Sequence, residues 1–146
     1  TGDPAGSTSL FREIAEKYKA GFEADPSYYT GVNLLMAIRL SDRERDSSFR
    51  EEFDEVLAVS RFLNRLAIAD DPDDYWALAT RAELTLYENL DQGSSIDEAA
   101  EQYAEAARHG RADQIRSTKD QLRFLAKYGD PADVIERLQL VIDQAR

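Results

Sequence analysis

Cysteine is missing from this chain of 146 residues, and methionine, tryptophan and histidine occur once each. Without cysteine there is no disulfide, no thiolate metal ligand and no sulfur nucleophile. The fold must therefore be held by its core, which a chain of this length can build. A cysteine-free chain is also compatible with the cytoplasm, the compartment expected here. No apolar run approaches the roughly 20 residues that span a bilayer. The opening TGDPAGSTS has no basic segment followed by an apolar one, so no signal peptide is expected, and without an initiator Met the chain reads as a piece of something longer. Basic residues are scarce: 18 Lys and Arg face 29 Asp and Glu, a formal net charge of −11. That balance argues against nucleic acid, whose phosphates need a basic footprint, and against an anionic membrane surface. Glycine-rich phosphate loops, H-E-x-x-H, G-x-S-x-G and the D-x-D-x-D-G calcium loop are all absent. No catalytic residue, cofactor or metal is expected.

What the chain does contain is helical periodicity. Its 42% hydrophobic and 32% charged residues describe a globular protein, not a disordered one. The stretch from Asp71 to Gly110 reads as one helical hairpin. Asp71 as N-cap and Pro72 at the first helical position open it, with Asp73 and Asp74 at the positive end of the dipole. Trp76, Ala79, Ala82, Leu84, Leu86 and Tyr87 follow at helical spacing. Gly93-Ser94-Ser95 breaks the chain, and Ser95 to Glu98 fits the S-x-x-E capping box. Ala99, Ala100, Tyr103, Ala106 and Ala107 give the second helix a small-residue face that lets helix axes approach, and Gly110 is its expected stop.

The other segments follow the same logic. Residues 1–8 read as a frayed lead-in, and from Ser9 the stripe Phe11, Ile14, Tyr18, Phe22 predicts an amphipathic helix. Asp25-Pro26 opens a second, in which Gly31 is expected to admit a neighbouring helix or aromatic ring. Ser48 to Glu51 is a further capping box. The helix it starts shows two stripes: Phe49, Phe53, Val56, Leu57, Leu63 and Ala67, then Val59, Phe62, Leu66 and Ala69. Two stripes predict a helix sandwiched inside a stack. The aromatic pairs Tyr28-Tyr29 and Tyr75-Trp76 lie just inside helices that begin at Asp-Pro pairs about 46 residues apart, which points to two similar hairpins, 25–69 and 71–109. Ile115, Leu122, Phe124, Leu125 and Tyr128 mark a sixth helix closed by Gly129. Asp130-Pro131 opens a seventh with the single stripe Val134, Ile135, Leu138, Val141, Ile142, as suits a cap. No strand pattern is present. The expectation is an all-α, right-handed array of about seven antiparallel helices forming one domain over 9–146.

The spacing Ala99, Tyr103, Ala106 resembles the second helix of a tetratricopeptide (TPR) repeat. Four pieces, DPSYYTGVNLLMAIRL, DDYWALATRAELTL, AAEQYAEAA and QIRSTKDQLRFLA, together resemble the TRAFs-binding, TPR-containing central regulatory region of the apoptosis signal-regulating kinases, and more closely its bacterial relatives in multidomain signalling and defence proteins. The similarity covers most of residues 10–128. It departs at Leu34-Leu35-Met36, where the family has smaller residues, and at the longer loop Asp91–Ser95. The resemblance implies a TPR-like interaction or autoregulatory module without catalytic activity.

The expected partner is accordingly a protein, as a peptide segment or a neighbouring domain. In an array of this kind the first helices of each pair line a groove. Tyr29, Asn33, Trp76, Thr80, Glu83 and Arg116 are the residues expected along it. For each a packing role competes: Asn33 as a buried hydrogen-bonding tie, Trp76 and Tyr28/Tyr29 as contacts between repeats, Arg116-Ser117-Thr118 as ordinary surface or inter-helix bonding. His109 suits the negative end of a helix dipole rather than catalysis. The carboxylate runs Glu51/Glu52/Asp54/Glu55 and Asp70/Asp71/Asp73/Asp74 read as solvated helix-start partners rather than a hard-metal site. A rival reading is an acidic hydrolase or small-molecule-binding helical domain that uses paired carboxylates. A homodimer through the 134–142 stripe is a third.

Overall fold

The computed structural model describes the backbone of residues 4–41 and 47–146, and side chains over 10–41 and 50–146. Among the described residues there are seven α-helices and no strand: α1 (Pro4–Ala24), α2 (Tyr28–Ser41), α3 (Ser47–Asp70), α4 (Tyr75–Gln92), α5 (Asp97–His109), α6 (Ala112–Tyr128) and α7 (Ala132–Gln144). The chain divides into two compact units, Thr1–Arg65 and Leu66–Arg146.

In the first unit, α1 packs on α2. It begins at Pro4, so residues 4–8 of the expected lead-in are helical; proline is tolerated in a first turn, where its missing N–H has no intrahelical acceptor. The cap of α2 is Ser27 rather than Asp25. Its Oγ accepts from the Thr30 N–H at 3.0 Å, while Thr30 Oγ1 accepts from the Ser27 N–H at 3.3 Å. Threonine here plays the reciprocal part that glutamate plays in the usual capping box. From Gly31 to Ser41 every residue of α2 but Asn33 is buried, as an almost uniformly apolar helix must be. A methyl group on Gly31 would fall on Ser60 Oγ of α3 and lie 3.0 Å from Phe22 Cε1 of α1. Three helices thus converge where one residue has no side chain.

Only one of the two stripes of α3 is covered, so this helix is not sandwiched as expected. Phe53, Val56 and Leu57 are buried, and the same face continues through Ser60 and Asn64, two polar residues absent from the expected stripe. The second stripe faces solvent: Val59, Phe62, Leu66 and Ala69 are all exposed. Small Ser60 is what Gly31 requires opposite it. Apolar periodicity therefore identified the helix and one covered face, but not that the second face is left open. The Ser48 capping box falls on side chains outside the described residues.

In the second unit α4 packs on α5, and α7 packs on both α5 and α6. Asp71-Pro72 does not begin α4. The Asp71 N–H still bonds to the Ala67 carbonyl, as the last turn of α3. Asp71 Oδ1 accepts from the Asp73 N–H, and the Asp74 N–H closes the turn on the Asp71 carbonyl. Pro72 serves in that turn, where its fixed φ is useful. Asp74 is the N-cap, and its Oδ1 accepts from the Trp76 N–H at 3.1 Å. At the other end Gly93, at φ 65°, sends its N–H to the Leu90 carbonyl while Ser94 bonds back to Asn89, a Schellman ending. Ser95 Oγ accepts from the Asp97 N–H at the start of α5, but Glu98 turns to Gln102 instead of closing the capping box. Gly110 is not a left-handed stop, since its φ of −93° suits any residue. It is glycine because a side chain there would lie 2.6 Å from the Tyr75 ring.

Candidate interaction surfaces

Both aromatic pairs are split by the helix that carries them. Neighbours on a helix stand about 100° apart, so one member can pack while the other faces out. Tyr75 is 4% exposed and sends its hydroxyl to Thr118 of α6, 2.6 Å away, whereas Trp76 is 46% exposed and meets Tyr75 edge-on. In α2, Tyr28 is half-buried and Tyr29 is 67% exposed. Of the three aromatics for which repeat-to-repeat packing competes with binding, Tyr28 is half-buried while Trp76 and Tyr29 face out.

The expected groove residues fall in both units, Tyr29 and Asn33 in the first and Trp76, Thr80, Glu83 and Arg116 in the second. Trp76, Thr80 and Glu83 form one strip of α4 at i, i+4 and i+7, with Thr80 and Glu83 half-buried. Tyr29 and Asn33 share a strip of α2 by the same spacing. Arg116 is exposed on α6 and makes no ion pair among the described residues. It stands roughly 200° around the helix from Thr118, the residue that meets α4. His109 lies in the last turn of α5, with Nδ1 3.5 Å from Asp73 Oδ1.

Beneath the α4 strip the second unit holds a buried phenol. Burial raises the Tyr103 hydroxyl well above its ordinary range, and the negative charge of Glu83 adds to this, followed by Tyr75 and Asp130. Tyr75 is raised by burial too, partly offset by its bond with Thr118. Among carboxylates with a shifted proton affinity, Asp97 is lowered chiefly by its hydrogen bond from Arg137, at 2.6 Å, and Asp113 by that from Arg111. Both are exposed. Among the described residues no group of three or more His, Asp or Glu is placed to hold a metal ion, and no helix is long and apolar enough to cross a membrane.

A concave surface lies in the first unit, among residues outside the expected set. One turn from the Gly31 crossing, α1 and α3 flank a groove of about 330 Å³ with Leu34 of α2 at its base. Phe22 and Val56 complete the buried floor, and Val59, 36% exposed, leads out of it. Glu23, Glu51, Glu52 and Glu55 form the rim with one base, Lys19, which pairs with Glu52 at 3.6 Å. One turn further along α3, Phe62 is 50% exposed beneath the Arg65 guanidinium, 5.5 Å from the ring centre. A signal for this surface existed in the sequence. The Val59–Phe62–Leu66 stripe sits on a helix whose other face already suffices to bury it, and a glutamate run precedes that stripe by one to two turns.

Compared with protein-family models, curated proteins and solved structures, the chain matches none of them.

Proposed function

We propose that this chain is a TPR-like helical module that docks another protein, as a scaffold or regulatory part of a larger signalling or defence protein, and carries out no catalysis itself. The observation that carries this reading is the apolar flank of α3 left in solvent, Val59 and Phe62, beside an open groove in the same unit. Large exposed apolar side chains in one stripe are costly unless something covers them. Exposed Tyr29 and Trp76 are of the type that anchors interfaces. The resemblance to TRAFs-binding regions points the same way. The rim carboxylates argue against the hydrolase alternative: Glu51 and Glu55 are exposed, whereas general acid chemistry at neutral pH needs a desolvated carboxyl.

The test places a photo-reactive amino acid at Phe62, Tyr29 or Trp76, or at the exposed control Glu136, in cells that make the protein. Cross-links to one discrete protein from the first three positions, and none from Glu136, are expected. The same diffuse products from all four positions would reject a docking role.

A further inference from the structure

We infer that the groove between α1 and α3 is a seat for a basic amphipathic helix, its apolar anchors on Phe22, Val56 and Val59 and its Lys or Arg residues against the glutamate rim. This rests on the reading of the chain as a protein-docking module and names the chemistry of the partner. The groove's walls are two helices, and its volume of about 330 Å³ lies at the small end of ligand pockets. That is room for a few anchor side chains of a helix lying along the cleft, the helix-in-groove mode of recognition. Val56 and Val59 lie one turn apart, the spacing at which a helix presents its own anchors.

The rim decides the sign of the partner. Of five charged groups lining the groove four are carboxylates, and the single base is engaged by Glu52. Glu23, Glu51 and Glu55 make no ion pair among the described residues, so their field is not neutralised locally. A second copy of the chain is a poor occupant, because it brings another net charge of −11 to an acidic rim. A neutral apolar peptide would satisfy the floor and leave the rim without counter-charge. A partner with alternating apolar and basic faces satisfies both, and its encounter is steered by the rim charge.

The experiment titrates the isotope-labelled chain, followed by NMR, with an amphipathic peptide of about 15 residues made of Leu and Lys. Two peptides of the same pattern serve as controls, one of Leu and Glu and one of Ser and Lys. The Leu/Lys peptide is expected to bind with a Kd on the order of 10 µM, shifting amides around Phe22, Val56 and Val59, while neither control saturates. The triple variant E51Q/E52Q/E55Q is expected to weaken binding about tenfold or more, and Val59→Asn about fivefold, without loss of the folded spectrum. A control variant elsewhere, E101Q/D133N/E136Q, should stay within about twofold. If the Ser/Lys peptide binds as tightly, if the control variant weakens binding equally, or if the shifts lie outside the groove, the attraction is general and the seat is rejected. If no peptide binds while Phe62 still cross-links to a discrete protein, docking stands and the basic-helix partner falls. Silence in both experiments removes both.

Discussion

The Gly31–Ser60 crossing shows how one atom can decide a helix pair. By helix propensity alone, Gly31→Ala should stabilise the chain by about 1 kcal/mol. The crossing reverses that sign, because the new methyl group would occupy the place of Ser60 Oγ. Gly31→Ala is expected to destabilise by about 1–3 kcal/mol in denaturant titrations. Ser60 Oγ is buried and finds no hydrogen-bond partner among the described residues, so Ser60→Ala should be neutral or up to about 1 kcal/mol stabilising. The double variant should recover part of the loss, a coupling of about 1 kcal/mol, and strict additivity would show that the two residues do not meet. Tyr103 makes a prediction of another kind. Its folded pKa lies above the ordinary 10.0, so the stability it gives is complete below about pH 10 and is lost as pH rises through the folded value. Urea melts from pH 8 to 11.5 or so should therefore show the wild type weakening relative to Tyr103→Phe only at the alkaline end. A constant gap between the two curves would mean that the phenol does not titrate differently in the two states.

At the scale of elements, the sequence disclosed helix number and type better than helix ends and faces. All seven segments were legible because apolar residues recur at i, i+3, i+4 and i+7 in each. The ends shifted where two signals competed. Asp71-Pro72 carries a valid helix-start signal, but α3 runs on to Asp70, and the short link from 71 to 74 needs proline for its turn. Asp74→Ala should consequently cost about 1 kcal/mol, while Asp71→Ala, which loses one exposed turn bond, should cost less than half of that. Equal losses in thermal melts would restore Asp71 as the cap. On α3 one covered face, with Phe53, Val56 and Leu57, is legible in the sequence, and the exposure of the other is not. Periodicity reports what is apolar, not what is covered, and Ser60 and Asn64 are buried for the sake of their size and neighbours. The groove was legible only in part: the apolar stripe and glutamate run of α3 stand in the sequence, but their meeting with Phe22 and Glu23 of α1 over Leu34 of α2 depends on the close approach at Gly31. Of the expected site residues, Trp76, Thr80 and Glu83 form one strip of α4 by spacing alone, whereas spacing within α6 does not say which neighbour Arg116 faces.

Across the whole molecule the dominant electrostatic fact is an excess of eleven negative charges, which the ion pairs do little to organise. Among the described residues, those that join different helices, Lys19 to Glu52, Arg81 to Glu105, Lys119 to Asp143 and Arg137 to Asp97, have at least one side chain substantially exposed, and pairs of that kind contribute little each. Uncompensated carboxylates, by contrast, repel one another in any compact state, and the effect grows with net charge. Added salt weakens both, with a screening length of about 10 Å at 0.1 M. Repulsion among dispersed charges acts over longer distances than contact pairs do, so screening should remove more destabilisation than stabilisation. Raising NaCl from about 0.01 M to 0.5 M at pH 7 is therefore expected to raise the Tm by a few degrees. Binding of a basic helix to the α1–α3 groove should respond in the opposite direction and weaken over the same range, because there the attraction itself is what salt screens. A Tm that falls with salt would place the stability of the fold in its surface pairs and leave the acidic excess without a structural cost. Salt-independent binding of the Leu/Lys peptide would separate the groove from its glutamate rim.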